Sequence, residues 1–340
     1  MVVGILGGGQ LARMLALAGH PMGIRTLVLD PADDACAAPV ASHLHGAFDD
    51  EALLDRLAEA CDVVTYEFEN VPLESLRYLS RKVPVYPPVS ALEATQDRLN
   101  EKNLFRELGI DTPDFLPVSS QAELESALEK IGLPSVLKTR RMGYDGKGQV
   151  VLKEAADVAG AWEQLGGVPA ILEAFVPFDR EVSGIVVRAR DGEIAAWSLT
   201  ENVHGDGILK LAISKPHDPL KPLALDYATR LLEHLDYVGV LALEFFQLGD
   251  RLLAKIKALP PAEMGRLLYL FDELISKIKE LPEPTQKPAF ELGLLFDRGA
   301  STPAIVRVRQ RTSDSDVRSD SPRISAHFAI AAPARILLFR

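Results

Sequence analysis

The sequence has few cysteines and no long apolar run, and both absences narrow its class. Cys36 and Cys61 are its only cysteines, and neither has a CxxC spacing or a histidine nearby, so they predict reduced thiols without a disulfide framework or zinc site. No apolar run approaches the ~20 residues of a membrane span, so we expect no membrane association. The first residues lack a basic leader and a cleavage site, and we therefore expect a cytoplasmic protein.

Basic residues are fewer than acidic ones, which gives the chain a net charge of −11. The sequence also has no concentrated basic face for a polyanion, so we expect no nucleic-acid partner. The charge is uneven: residues 1–254 carry −15, whereas residues 255–340 carry +4. The chain therefore changes character near residue 254. At 340 residues it is long enough for two or three packed subdomains.

The first 95 residues alternate between strand and helix patterns. Buried-strand runs and helical faces follow one another at 2–6, 10–18, 26–30, 51–60 and 63–66. This order predicts a parallel, doubly wound domain. Prolines at 84, 87 and 88 then favour an extended hinge over a helix.

The pattern changes after a charged helix predicted at 97–110. Short strand-like runs follow with few helices between them, which predicts an antiparallel α+β region; they lie at 135–139, 149–152, 170–173, 182–187 and 194–197. A helix at 226–235 and a buried strand at 238–246 complete this part. Beyond residue 254 we expect one amphipathic helix at 262–281 and a poorly ordered stretch at 307–323.

A glycine turn connects the first strand to the first helix. Its letters are GGGQLA at residues 7–12, and Asp30 follows at the end of the next strand, as in dinucleotide-binding folds. Glycines at such a turn let any anionic group approach the helix N-terminus. A dinucleotide, a sugar phosphate and a tight turn without a ligand all remain open from this pattern.

A second glycine-rich segment, RRMGYDGKGQ at residues 140–149, joins two strands rather than entering a helix. Its freed amides can surround a triphosphate while Lys138 and Lys147 neutralise the charge. The alternative is a solvated basic hairpin.

Three acidic residues are candidates for ligand contacts. Glu173 and Glu181 flank a strand end whose backbone can contact an adenine edge, although acidic residues there often only face solvent. Glu244 lies inside the apolar strand LALEFF, where an unpaired carboxylate is costly, so it requires either Mg²⁺ or a cationic partner.

Taken in order, these motifs resemble the N5-carboxyaminoimidazole ribonucleotide synthetase family, the ATP-grasp enzymes of purine biosynthesis. The resemblance covers residues 1 to about 254. The matching segments are GGGQLARM at 7–14, TYEFENVP at 65–72, QDR at 96–98 with Lys102, KTR at 138–140, the loop at 143–149, TENVH at 200–204 and the strand at 239–246. The resemblance implies an ATP-grasp fold, mixing α/β and α+β parts. It has a Rossmann-like substrate domain at 1–96, an ATP-grasp domain with a lid at 97–254 and an atypical tail at 255–340.

The resemblance also implies site residues and a reaction, in which ATP and Mg²⁺ drive the carboxylation of aminoimidazole ribonucleotide with bicarbonate by a homodimer. The implied ATP ligands are Arg98, Lys138, Gly143, Tyr144, Asp145, Gly146, Lys147, Gly148, Gln149, Glu173, Ala174, Phe175, Val176, Glu181 and His204. The implied ribonucleotide ligands are Gly9, Gln10, Leu11, Glu67, Glu69, Tyr144 and Asp145. The implied catalytic residues are Lys138, Lys147 and Glu244, of which Glu244 would bind the metal.

The tail departs from the family pattern. Where the resemblance implies a second metal carboxylate, at position 256, the sequence has isoleucine, and no His-Asn-Ser-Gly-His follows. These losses predict reduced turnover. Two other interpretations stay open: an ATP-grasp ligase that uses formate, and an ATP-binding scaffold without catalysis.

Overall fold

The computed structural model describes residues 1–143, 148–205 and 208–255, together with the backbone of two strands at 290–295 and 305–310. The N-terminal sheet is parallel, in the order β3-β2-β1-β4. Its strands are β1 (Val2–Leu6), β2 (Arg25–Asp30), β3 (Ser42–His45) and β4 (Val63–Tyr66). The neighbouring helices are α1 (Gln10–Gly19), α2 (Glu51–Ala60), α3 (Leu73–Ser80) and α4 (Val89–Thr95).

The two faces of this sheet pack against different helices. Ile5 and Val28 share a buried cluster with Ala12 of α1, whereas their neighbours Leu6 and Leu29 pack with Leu57 of α2. Successive strand residues point to opposite faces, so both faces are covered. The expected doubly wound arrangement is confirmed.

A middle antiparallel sheet follows, in the order β5-β8-β6-β7. Its strands are β5 (Phe115–Val118), β6 (Ser135–Thr139), β7 (Gln149–Leu152) and β8 (Ala170–Ala174), and the helices around it are α5 (Arg98–Glu107), α6 (Gln121–Ile131) and α7 (Ala161–Gln164). Asp97 caps α5 by accepting the Leu99 amide, and Ser120 caps α6 by accepting the Glu123 amide.

The largest sheet is also antiparallel, in the order β14-β13-β9-β11-β12-β15-β16, with β10 beside β9. Its strands are β9 (Arg180–Arg188), β10 (Ile194–Ala196), β11 (Leu199–Gly205), β12 (Ile208–Lys215), β13 (Gly239–Leu248), β14 (Arg251–Lys255), β15 (Phe290–Leu295) and β16 (Ile305–Gln310). Helix α8 (Lys221–His234) covers its apolar face, where Tyr227 lies 6.2 Å from Phe245 between ring centroids. Alternation along the strands leaves polar side chains on the other face.

The strands that the sequence predicts occur close to the expected positions, but several other elements do not follow from the pattern. These are β3, α3, α4, β5, α6, α7, β11, β12, β15 and β16. In the tail, the predicted helix at 262–281 lies outside the described residues. The expectation of disorder from 307 is wrong for residues 307–310, which belong to β16 and pair with β15. Within the described part of the chain, no helix is long and apolar enough to cross a membrane.

Phe245 provides a test of this packing, because its side chain is fully buried between the large sheet and α8. Phe245→Ala should lower the free energy of unfolding by about 3–5 kcal/mol through lost burial and a cavity. Urea denaturation of both proteins measures the difference. Leu17→Ala, at an exposed position on α1, is the control and should change stability by less than about 0.5 kcal/mol. Equal effects would contradict the placement of this core.

Candidate active site

A buried glutamate lies between two lysines of the middle region. Glu173 Oε2 accepts a hydrogen bond from Lys138 Nζ at 3.0 Å and lies 3.4 Å from Lys102 Nζ. Burial alone would raise the pKa of Glu173, but the two ammonium groups outweigh it and hold that pKa below its ordinary value. Oε1 of Glu173 is buried and has no hydrogen-bond partner among the described residues, so it can accept from a ligand.

Lys102 connects this cluster to the large sheet. Its Nζ donates to Thr112 Oγ1 at 2.8 Å, and the Thr112 hydroxyl donates to the Ala254 carbonyl in β14 at 3.0 Å. The Ala254 amide in turn donates to the Asp111 carbonyl at 2.7 Å. The Lys102 side chain is fully buried, and burial lowers its pKa to about 8 despite the attraction of Glu173.

A second charged cluster lies on the polar face of the large sheet. Glu181, Glu244 and Lys255 come from β9, β13 and β14, and β13 is paired with both other strands. Lys255 Nζ contacts Glu181 Oε2 and lies 3.6 Å from Glu244 Oε2. His204 Nδ1 from β11 lies 3.4 Å from the same oxygen of Glu181. Burial would raise the pKa of Glu181, but His204 and Lys255 lower it, so the carboxylate is ionised.

The strand end at 173–176 is only partly free to contact a base. The amides of Ala174 and Phe175 donate to the carbonyls of Asp114 and Pro134, and the Val176 carbonyl accepts from the Phe178 amide. Two aromatic side chains beside this strand end, rather than its backbone, are exposed to solvent. The Phe175 ring is exposed, and the half-exposed ring of Phe178 stacks on Phe246 with centroids 4.6 Å apart.

The glycine-rich loop is held at its base by Arg98. Its guanidinium donates to the Thr139 carbonyl at 2.7 Å and to the Gly143 carbonyl at 3.0 Å. Gly148 has a φ of +70°, and a Cβ there would meet Thr139 Oγ1 at 2.7 Å, so this position requires glycine. Gln149 begins β7, whereas Tyr144, Asp145, Gly146 and Lys147 lie outside the described residues.

The N-terminal glycine turn is closed by a carboxylate of the protein itself. Glu67 accepts hydrogen bonds from the amides of Gly9 and Ala12 at 2.5 and 2.7 Å, and its side chain packs where a Cβ at Gly7 or Gly9 would lie. Burial raises the pKa of Glu67 although both amides oppose it. The Glu67 side chain therefore occupies two amides at the start of α1.

Three other residues of this domain make contacts within the protein. Asp30 accepts from the amides of Gly8 and Ala32, so it supports the turn rather than waiting for a ribose hydroxyl. Leu11 is buried in α1. The Glu69 carbonyl accepts from the Gln96 side chain. Gln10 begins α1 beside this turn.

Sequence reasoning gave no site role to Lys102, Thr112 or Lys255, although Lys102 belongs to one of the matching segments. Lys102 lies three residues before Phe105, a spacing that places both on the buried face of α5, which is a usable signal. Lys255 lies opposite Glu244 in a hairpin that turns at 249–250, so strand pairing would have found it. Thr112 carries no such signal.

The acidic residues present do not form a complete magnesium site. Glu244 is the carboxylate implied for Mg²⁺, yet its Oε2 faces the Lys255 ammonium. Across residues 1–143, 148–205 and 208–255, no group of three or more histidine, cysteine, aspartate or glutamate side chains can hold a metal ion. Mg²⁺ takes oxygen ligands and is disfavoured beside an ammonium. The described residues therefore do not fit the metal.

The pKa of Lys102 generates a test of the first cluster. The unfolded chain keeps this amine protonated up to about 10.5, whereas the folded amine loses its proton near 8, so the unfolded state binds more protons between these values. Stability of the parent protein relative to Lys102→Met should therefore rise by roughly 1–2 kcal/mol between about pH 7.5 and 9.5. Denaturant unfolding at both pH values measures this, and a flat difference would contradict the burial of a titrating amine.

Comparisons with known proteins identify the same protein family over most of the chain. Residues 1–96 match the ribonucleotide synthetase preATP-grasp domain, and residues 103–261 match the ATP-grasp domain. An N5-carboxyaminoimidazole ribonucleotide synthase of Pseudomonas aeruginosa is 54% identical over 254 residues, which cover 75% of this chain and 71% of the relative.

Solved structures show the same likeness. The N5-carboxyaminoimidazole ribonucleotide synthetase of Thermus thermophilus is 45% identical, with a TM-score of 0.74 over 86% of this chain and 82% of that one. The Aspergillus clavatus enzyme, in complex with ADP and aminoimidazole ribonucleotide, is 28% identical, with a TM-score of 0.74 over 88% and 83% of the two chains. The chain therefore belongs to the N5-carboxyaminoimidazole ribonucleotide synthase family, ATP-grasp ligases of purine biosynthesis that use ATP with Mg²⁺.

Proposed function

We propose that this protein uses ATP to carboxylate the amine of 5-aminoimidazole ribonucleotide with bicarbonate, in the cytoplasm and as a homodimer. The observation that carries the nucleotide half of the proposal is the Lys138–Glu173–Lys102 cluster. Two cations surround one carboxylate there, and the buried Glu173 Oε1 lacks a partner among the described residues. Such a surplus of positive charge beside an unused acceptor suits a phosphorylated nucleotide.

The proposal assigns ATP to the space beside this cluster. Lys138 and Lys147 bind the phosphates, with amides of the loop from Gly143 to Gln149. Glu173 Oε1 accepts from the amino group of adenine, and the exposed face of Phe175 covers the base. The remaining ATP ligands of the proposal are Arg98, Ala174, Val176, Glu181 and His204.

The ribonucleotide is assigned to the N-terminal domain, 1–96, beside the turn that Glu67 closes. Its ligands in the proposal are Gly9, Gln10, Leu11, Glu67, Glu69, Tyr144 and Asp145. The Glu67 carboxylate occupies the amides of Gly9 and Ala12, so it is placed to accept from hydroxyl or amine donors of the ligand.

In this proposal the reaction has two steps, phosphoryl transfer to bicarbonate and carboxylation of the amine. A bicarbonate oxygen attacks the γ-phosphorus of ATP, which forms carboxyphosphate and releases ADP. The amine then attacks the carboxyl carbon, either of carboxyphosphate itself or of the CO₂ that carboxyphosphate releases together with phosphate. In both routes phosphate leaves and one proton is lost from nitrogen. Lys138 and Lys147 stabilise the negative charge of the transferring group, and the loop excludes water from the labile intermediate.

Lys138→Ala tests the nucleotide site directly. The variant should bind ATP about 10-fold or more weakly in calorimetric titration, because it loses a charge-assisted contact worth roughly 1.5–3 kcal/mol. Lys82→Ala is the control, since Lys82 pairs with Asp55 on the surface of the N-terminal domain. Equal affinity in Lys138→Ala and the parent protein would contradict this placement of the phosphates.

The complete reaction is tested by phosphate release with ATP, ribonucleotide and bicarbonate, each omitted in turn and with formate replacing bicarbonate. Because the tail departs from the family at Ile256, we expect turnover at least about 10³-fold below that of a chain in which the corresponding Pseudomonas aeruginosa segment replaces residues 255–340. Ordinary enzyme rates in the parent chain would contradict this. Release that requires formate would overturn the choice of bicarbonate.

A second candidate function is ATP binding without turnover. The contact of Lys255 with Glu181 and Glu244 favours it, because an ammonium is bound where the resemblance implies a metal ion. The same assay separates the two candidates: this one is supported if calorimetry detects ATP and no combination of substrates releases phosphate.

A further inference from the structure

Lys255 is held in place by strand register rather than by a flexible surface contact. In the β13–β14 pair, Lys255 lies directly opposite Glu244, and in the β13–β9 pair Glu181 lies opposite Phe246. Residues opposite one another share a face of the sheet, and so do residues two apart on a strand. Glu181, Glu244 and Lys255 must therefore meet on one face.

The three side chains form a compact, largely buried charge cluster. The side chains of Glu181 and Glu244 are 14% and 7% exposed, and that of Lys255 is 22% exposed. Lys255 Nζ contacts Glu181 and lies 3.6 Å from Glu244, and it is also 5.1 Å from the centre of the Phe246 ring. Two buried carboxylates next to each other require a cation, and the ammonium supplies it.

The cluster is connected to the lysines that the proposed function assigns to nucleotide. Contacts run from Lys138 through Glu173 and Lys102 to Thr112, whose hydroxyl donates to the carbonyl of Ala254. Lys255 is the next residue along β14. An ammonium is a point charge with three donors, so it can bind a phosphate oxygen while it neutralises a carboxylate.

We propose that Lys255 is a tethered cation of the nucleotide site that takes the place of a divalent metal ion at Glu244, so that this chain binds ATP with little dependence on Mg²⁺. The proposal rests on the function proposed above, because it concerns the same ATP site. It follows from the disagreement between the implied metal and the residues present: a divalent cation at Glu244 must displace or repel the Lys255 ammonium.

The test measures ATP affinity by calorimetry on the full chain, once in EDTA and once in excess Mg²⁺. The parent protein should bind ATP with affinities that differ by less than about threefold between the two conditions. Lys255→Met should bind metal-free ATP at least about 10-fold more weakly, and Mg²⁺ should restore part of that loss. Lys255→Arg keeps the charge and should resemble the parent protein in EDTA.

Lys215→Met is the matched control, because Lys215 also pairs with a glutamate of the large sheet. Its Nζ lies 3.2 Å from Glu201 Oε2, and it is more exposed than Lys255. This variant removes one lysine–carboxylate pair without touching the Lys255 cluster, so ATP affinity should not change in either condition.

Two results would overturn the proposal while leaving the function intact. One is an ATP affinity of the parent protein that is more than about 10-fold higher in excess Mg²⁺ than in EDTA. The other is equal metal-free affinity in the parent protein and a folded Lys255→Met. If Lys255→Met fails to fold, the metal dependence of the parent protein decides alone. An absence of ATP binding under every condition would overturn the proposed function, and this inference with it.

Discussion

The cost of burying ionised carboxylates governs how this site is built. Glu173, Glu181 and Glu244 are all largely withdrawn from solvent, and a carboxylate in such surroundings remains charged only beside a cation or several donors. Each has a lysine within 3.6 Å or less. The lysines come from α5, β6 and β14, so the requirement for charge balance ties together parts of the chain that are far apart in sequence.

Local sequence patterns identified the residue types of the site but not their partners. Lys138 and Glu173 lie in strands that the sequence predicts, yet their contact depends on the antiparallel pairing of β6 with β8. Glu67 closes a turn 55–58 residues away, through the pairing of β4 with β1. Periodicity reports which side of an element a residue faces and is silent on which element lies opposite.

The elements that the pattern did not predict have identifiable causes. Helix α6 carries a capping signal in Ser120 and Glu123, so its start could be predicted from the sequence. Helices α3 and α4 are short and each follows a proline at its N-cap, Pro72 and Pro88, which is equally typical of a hinge. Their stability comes from packing against the N-terminal sheet and one another, with Leu76, Leu79 and Leu92 in one buried cluster, which propensity cannot report.

The two charge clusters have opposite net charges. The first holds Lys102 and Lys138 around a single carboxylate, so it keeps a surplus positive charge for phosphate. The second holds Glu181 and Glu244 around Lys255, so it retains negative charge, with His204 close enough to reduce it when protonated. A phosphate chain is stable near the second cluster only if that negative charge is covered by a cation. In this chain the covering cation is part of the polypeptide, and its position is fixed by the register of β13 with β14 rather than by solution metal concentration.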